Sequence, residues 1–392
     1  MEEFDLVVVG AGPAGNRAAI SAAEAGVNTL LLEEHPIIGR PISCGEGISR
    51  DALNTFDLPV EDADYFNRPV KEFRMFAPNA SVVKLRIDGF IINREKFDQY
   101  NAKLAAEAGA EVKTRHRVIG VKRVGEELEI QVLKNNSEKL SFSSKIVIDG
   151  TGPSARIGKM IGAQTPEKYV FGVEYKLKGI TTESFDFYLD FEKYKRGYIW
   201  IFPKGDDHAN VGIVTTRPEP RKLLDEFITE RQIEGEIMQY IGGAIPMTGP
   251  VKEPVENNFL AAGDAAGTAN ALFYGGIRAA LISGDLAGKI ASKAIKEKNY
   301  SKERLMEYPN ILFTLPIADE SIILAHRIFY NFKNDVYNHF STILDGYYLD
   351  KLGISGYLKA GYIGFLDKYG RKMRKELWTM IKGFKTTAEW GF

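Results

Sequence analysis

Cysteine is almost missing from this chain. Only one of its 392 residues is a cysteine, Cys44, so no disulfide can form within the chain. No zinc-type Cys/His spacing exists either, and the expectation is a protein without a metal site. Net charge is also missing. Fifty-one Lys and Arg face 52 Asp and Glu, which argues against a nucleic-acid partner held by bulk electrostatics. No apolar run reaches the ~18 residues of a spanning helix. Internal repeats and low-complexity segments are absent. The opening MEEFDLVVVG enters a strand within a few residues and leaves no room for a signal peptide. A cytoplasmic location is therefore expected. What the chain has in quantity is apolar residues, 44%, enough for a sizeable core in one large domain or two joined ones.

The segment FDLVVVGAGPAGNRAAISAAEAGVNTLLLEEH reads as strand, turn, helix, strand. Gly10, Gly12 and Gly15 have the G-x-G-x-x-G spacing. The first glycine permits the tight turn, the second lets a pyrophosphate approach the backbone, and the third lets helix pack on strand. Pro13 and Ala14 open an Ala-rich helix whose N-terminus suits phosphate. Glu33 ends the second strand at about the ~20-residue offset where an acid meets ribose hydroxyls. The unit does not by itself choose between NAD and FAD.

Most of the chain away, NNFLAAGDAAG is another strand running into a turn, with Gly263 and Asp264 at its tip. A long helix follows YGG, its start marked by Gly275, Gly276 and Ile277. INREKFDQYNAKLAAEAGAEV places Arg94 at a helix start, and KIVIDGTGPSARIGKMIG holds Asp149 and Gly150. In this order the pieces resemble the aromatic-hydroxylase-type FAD superfamily. The resemblance implies that FAD is the cofactor and that Asp264 meets the sugar-alcohol chain of the flavin. Helix-start glycines would then lie under the ring edge where reduction builds negative charge. Arg94, Asp149, Gly150, Glu34 and Arg40 join the implied cofactor contacts.

Two further motifs narrow the resemblance. They are CGEGIS, Cys44 to Ser49, and GYIWIFPKGDDHANVGI, which holds Tyr198, Trp200, Phe202, Pro203 and Gly212. Together they resemble the geranylgeranyl reductase family, which saturates prenyl chains. Read as residues, the second motif is a β-hairpin. Strand alternation puts Tyr198, Trp200 and Phe202 on one face, an apolar wall suited to an isoprene chain. The resemblance implies that Cys44 and Gly45 lie near the flavin. It also implies that Cys44, Glu46, Tyr198 and Trp200 serve catalysis, with Glu46 an organiser or a proton source. Phe202, Pro203 and Tyr274 are expected in the substrate pocket. Relatives carry a proline and a glycine where this chain has Ala271 and Tyr274, a departure that bears on which prenyl chain is accepted.

The expected fold is α/β with α+β elements. A Rossmann-like FAD-binding domain would span 1–68, 93–165 and 252–300. A mostly antiparallel β-sheet substrate domain, spanning 69–92 and 166–251, would be inserted into it. A helical region would occupy 301–392. From Lys351 onward nine Lys and Arg face three Asp and Glu, with eight aromatics. Tyr369, Met373, Leu377, Ile381 and Phe384 recur at helical spacing, with Arg371, Lys372, Lys375 and Lys382 mostly off that face. Trp378 and Trp390 are two of the three tryptophans. Such a helix either lies on the inner face of an anionic membrane or packs on the protein's own body.

The implied partners are a prenylated lipid or geranylgeranyl diphosphate as substrate, and NAD(P)H or a ferredoxin-like carrier as electron donor. The implied activity is saturation of geranylgeranyl double bonds, foremost on archaeal-type membrane glycerolipids, by hydride from reduced FAD plus a proton. Two alternatives stay open: an FAD-dependent monooxygenase or hydroxylase of the same fold, and a non-catalytic prenyl-lipid carrier.

Overall fold

The computed structural model describes residues 1–205, 207–348, 358, 362–363 and 367–390. The chain divides into two units, each woven from three segments. The first comprises Met1–Ile42, Arg94–Lys168 and Pro246–Asp319. The second comprises Ser43–Asn93, Tyr169–Ile245 and Glu320–Phe392.

In the first unit five strands lie side by side and parallel, in the order Phe259–Ala261, Glu138–Asp149, Glu2–Val9, Thr29–Leu32 and Glu111–Lys113. Leu6 to Val8, Leu30 to Leu32 and Ile146 to Ile148 are buried without alternation, as strands covered on both faces require. Each buried aliphatic side chain contributes roughly 1.5–3 kcal/mol. Val9 stands opposite Asp149, and Asp149 opposite Ala261. These three strands therefore end level. Gly10, Gly150 and Ala262 leave the sheet together at its carboxyl edge, where open α/β sheets hold ligands. The first half of Glu138–Asp149 continues into an antiparallel extension with Glu127–Lys134 and His116–Val124.

The helices Pro13–Glu24 and Ile277–Lys296 pack in close contact. Gly284 and Gly288, one turn apart, rest directly on the backbone of Ala14 and Ala18, and a side chain at either would overlap it. This contact fixes the helix that begins at the glycine-rich turn.

The second unit is built on eight strands in the order Glu236–Pro246, Tyr169–Lys178, His208–Thr215, Tyr198–Pro203, Phe185–Tyr188, Phe66–Phe76, Val82–Ile92 and Gly47–Ser49. Among the described pairings all are antiparallel except Phe185–Tyr188 beside Phe66–Phe76. The expected hairpin is present, with Tyr198 opposite Val214 and Trp200 opposite Gly212. Asp206 of its turn lies outside the described residues. Alternation sends Ile199, Ile201, Val211, Ile213, Val173 and Tyr175 to one face, where Leu224 and Phe227 of the helix Pro220–Glu230 pack on them. The opposite face is left for Tyr198, Trp200, Phe202, Glu174, Asn210 and Gly212.

The C-terminal segment of this unit pairs the helix Glu320–Phe329 with Arg374–Trp390. Gly383 permits the contact, because a side chain there would run into Ser321 and Ala325. Phe384 stands edge-on to Phe329 at 5.2 Å. The amphipathic stretch from Tyr369 to Phe384 is two helices, broken at Met373. Asp367 caps the first by accepting from the amides of Tyr369 and Gly370, both at 2.8 Å. The side chain of Trp390 lies outside the described residues. Among the described residues no helix is long and apolar enough to cross a membrane.

Candidate active site

The carboxyl edge of the parallel sheet holds most of the residues expected to contact a cofactor. Gly10 adopts φ +99°, a left-handed conformation that favours glycine, and a side chain on it would meet the Gly150 carbonyl at 2.5 Å. Gly15 presses on the Gly10 carbonyl. Gly12 differs from both, because a side chain there would project into open space. Its backbone is thus accessible, as close approach of a pyrophosphate requires. Glu33 accepts from the Ala11 amide at 2.9 Å and from the His35 amide at 2.9 Å. It thereby fixes the turn as well as offering a carboxylate at its rim. Glu34 is paired with Arg156 at 2.8 Å, and Arg40 with Glu95 at 2.7 Å.

Asp149 and Asp264 sit on adjoining strand ends but have different surroundings. The Asp149 carboxylate takes four donors, from the Thr151 amide and hydroxyl and the amides of Ile157 and Gly158, at 2.6–3.0 Å. It organises the turn and has its hydrogen bonds filled. Asp264 has no such partners among the described residues. Burial pushes its carboxyl up to about 6, against the opposing charge of Arg94. Gly276, whose missing side chain would lie 3.4 Å from Asp264 Oδ1, keeps the approach to that carboxylate open. A carboxylate without a protein partner among the described residues, beside a helix N-terminus and an open glycine turn, fits a polyhydroxylated dinucleotide such as FAD. Arg94 pairs with Asp98 at 2.9 Å. Tyr274 is buried and adopts φ +59°, a conformation in which glycine is at ease and tyrosine is strained.

The second site lies on the opposite face of the antiparallel sheet from the Pro220–Glu230 helix. Tyr198, Trp200 and Phe202 share that face, with ring centroids 6.1 Å and 6.2 Å apart in sequence. Phe187 joins them, 4.8 Å from Tyr198 and 5.2 Å from Phe202, and Phe185 lies 4.6 Å from Phe202. The CGEG segment crosses this aromatic surface on its glycines. A side chain at Gly45 would stand 3.2 Å from Phe202, and one at Gly47 3.1 Å from Phe185. The backbone approaches the rings only because neither position carries one. Cys44 is partly exposed, and its sulfur accepts from the Glu46 amide at 3.2 Å.

Glu46 adopts φ +67° and is completely buried. Lys204 Nζ reaches its carboxylate at 2.6 Å and also donates to the Ile92 carbonyl at 2.8 Å. Asn210 donates to the same Glu46 oxygen at 3.0 Å. Burial pulls the Lys204 ammonium below its ordinary range, while Glu46 opposes that shift. A fully buried acid in a left-handed conformation, held by a buried cation, is an organised centre rather than a loop acid.

Glu174, Lys204 and Asn210 complete this cluster, and the motif reading singled out none of them. Trp200 Nε1 donates to Glu174 Oε2 at 3.0 Å. The indole spans Gly212, which lies between the two strands, and any side chain at 212 would overlap the ring. Burial and the nearby Glu46 charge push the Glu174 carboxyl up to about 8. The hydrogen bond from Trp200 and the charges of Lys176 and Lys204 oppose that shift. The only available signal was the strand pattern YVFGVEYKLK, where an acid, Glu174, falls between the apolar Val173 and Tyr175.

Both parts of the chain resemble known proteins. Residues 5–167 match the FAD dependent oxidoreductase family, and residues 169–245 match the geranylgeranyl reductase catalytic domain. The digeranylgeranylglycerophospholipid reductase 2 of Methanosphaera stadtmanae is 34% identical over 329 residues, covering 79% of this chain and 83% of that protein. The protein of the same name from Methanopyrus kandleri is 35% identical over 332 residues, covering 78% and 81%. A crystal structure of a geranylgeranyl bacteriochlorophyll reductase-like protein from Thermoplasma acidophilum superposes with a TM-score of 0.85 at 27% identity, covering 96% of this chain and all of that one. The flavin-dependent brominase Bmp2 shares the fold, with a TM-score of 0.70 at 17% identity over 94% of this chain and all of that one. The chain therefore belongs to the geranylgeranyl reductase family of FAD-dependent oxidoreductases.

Proposed function

We propose that this protein saturates C=C bonds in geranylgeranyl chains of archaeal-type membrane glycerolipids. The observation that carries the reading is the aromatic face of the antiparallel sheet. It falls in the segment that matches the geranylgeranyl reductase catalytic domain, in a chain whose relatives are named for a digeranylgeranylglycerophospholipid. Reduced FAD, when bound, supplies a hydride. The fingerprint glycines would hold its pyrophosphate, and Asp264 would accept from its sugar-alcohol hydroxyls. An isolated alkene is unpolarised, so a proton must arrive as the hydride does. Positive charge developing on a tertiary carbon is stabilised by ring quadrupoles such as those of Tyr198, Trp200 and Phe202. Cys44 helps shape the substrate pocket together with Phe202 and Pro203, and Tyr274 is a further pocket residue on this reading. The test is mass spectrometry of a geranylgeranylated glycerophospholipid after incubation with dithionite-reduced protein. The lipid gains two hydrogens per bond if the reading holds, and keeps its mass if it does not.

Electrons reach the flavin from NAD(P)H or a ferredoxin-like carrier. Anaerobic bleaching of the yellow protein by each in turn distinguishes these donors.

The same reading brings the protein to a lipid surface through the helix Arg374–Trp390. Phe384 of its apolar stripe packs on Phe329 of Glu320–Phe329, but Trp378 and Ile381 stay 64% and 54% exposed. Arg374, Lys375, Lys382 and Lys385 are exposed around them. Exposed aromatic and aliphatic side chains within a basic surface suit an anionic bilayer.

A further inference from the structure

Two of the buried acids, Asp149 and Glu46, have their carboxylates held by several donors. Asp149 takes four donors, and Glu46 takes a lysine and an asparagine. Glu174 has fewer. Its Oε2 accepts one bond, from Trp200, and its Oε1 is buried without any hydrogen-bond partner among the described residues. The residue is 3% exposed. An ionised carboxylate in that setting would carry an uncompensated lone-pair set in low dielectric, at a cost of several kcal/mol. The nearest buried ammonium, on Lys204, is already committed to Glu46 and to the Ile92 carbonyl. Lys176, on the same strand as Glu174, approaches the Gln239 amide oxygen at 3.5 Å. A protonated carboxyl, by contrast, is neutral and turns its bare oxygen into a donor with nothing yet to donate to.

The position is deliberate in its construction. Gly212 stands between Glu174 and Trp200 in the sheet register, and its missing side chain is what lets the indole lie across to the acid. Trp200 in turn belongs to the aromatic face, 6.1 Å from Tyr198 and 6.2 Å from Phe202. A buried carboxyl with one unpartnered oxygen thus sits on the same sheet face as the aromatic rings.

Building on the reductase reading, we propose that Glu174 supplies the proton that completes saturation of the double bond, and that Trp200 positions it. The balance is simple. The π bond breaks and two C–H bonds form, one from the hydride of the reduced flavin and one from the Glu174 carboxyl. The flavin is oxidised by two electrons, the alkene is reduced by two, and Glu174 is left as a carboxylate that water re-protonates. The groups that face Glu174 and tune this step are Glu46, which favours its neutral form, and Lys176, Lys204 and Trp200, which favour the anion.

Two measurements test the assignment. The first needs no turnover: infrared spectroscopy of the FAD-loaded protein as a function of pH. A protonated-carboxyl band should persist at neutral pH, titrate with a midpoint near about 8, and be missing from Glu174→Gln. The second is the rate of lipid saturation by pre-reduced protein. Glu174→Gln should lower it by roughly 10²–10⁴-fold with FAD content unchanged, as loss of a general acid does. In Trp200→Phe the pH midpoint of the rate should move up, because a bond to the anion is lost. Wild-type protein that leaves the lipid unchanged would sink the reductase reading and this proposal together. Wild-type protein that reduces the lipid while Glu174→Gln matches its rate would overturn the proposal alone. If Glu174→Gln does not fold, the wild-type infrared titration and pH–rate profile decide. A rate that is flat across pH 8, or no protonated carboxyl at pH 7, would overturn it equally.

Discussion

Gly212→Ala is the smallest change that separates Trp200 from Glu174. The added methyl would occupy the space of the indole ring, so the ring must swing away and its hydrogen bond is lost. We expect about 1–3 kcal/mol of destabilisation in urea unfolding, the range for overpacking a buried site, and a changed Trp200 environment in near-ultraviolet circular dichroism. Lys204→Met should cost more, about 3–5 kcal/mol, because it strands the Glu46 carboxylate in a dry site. Adding Glu46→Gln to it should restore part of the loss; a double variant no more stable than the single one would contradict the ion pair's role. Glu174 also makes stability depend on pH. Its folded-state value of about 8 lies above the ordinary 4.5, so the folded chain binds the extra proton between those limits. This contribution, on the order of 5 kcal/mol, is fully present below about pH 4.5 and is lost as pH rises through about 8. Thermal melts of Glu174→Gln should lack that decline.

At the scale of elements, the features legible in the sequence were those encoded within one local stretch. Gly10, Gly12 and Gly15 are spaced within a single turn, and the alternation of Tyr198, Trp200 and Phe202 needs only one strand. The polar cluster was not legible, because its partners meet through sheet register. Asn210 and Glu46 are 164 residues apart in the chain, and Trp200 and Glu174 are 26 apart. The strain at Tyr274 and the filled hydrogen bonds of Asp149 are equally invisible without coordinates. Helix packing shows the same dependence. Gly284 looks like any small helical residue in sequence, yet it carries the contact with Ala14. Gly284→Val should push the helix Pro13–Glu24 off its neighbour and tilt the glycine turn. The expected result is a lowered Tm together with loss of bound FAD on gel filtration; full FAD retention would separate that contact from the cofactor site.

For the whole molecule, the two sheets divide the chemistry. One is a parallel sheet whose strand ends carry the dinucleotide features. The other is an antiparallel sheet, one face of which carries aromatic rings and buried acids. Lipid access belongs to this scale as well. Replacing Trp378 and Ile381 by Ser should reduce co-sedimentation with vesicles rich in anionic lipid several-fold, and added salt should weaken what remains. Undiminished sedimentation of the folded variant would detach the C-terminal helix from membrane binding. The most direct test of the central claim is an anaerobic single turnover. Protein carrying stoichiometrically reduced FAD is mixed with geranylgeranylated glycerophospholipid, and flavin absorbance and lipid mass are followed together. The account predicts that oxidised flavin returns without oxygen, with one double bond saturated per flavin. Flavin that stays reduced until oxygen is admitted, with lipid mass unchanged before that, would contradict it.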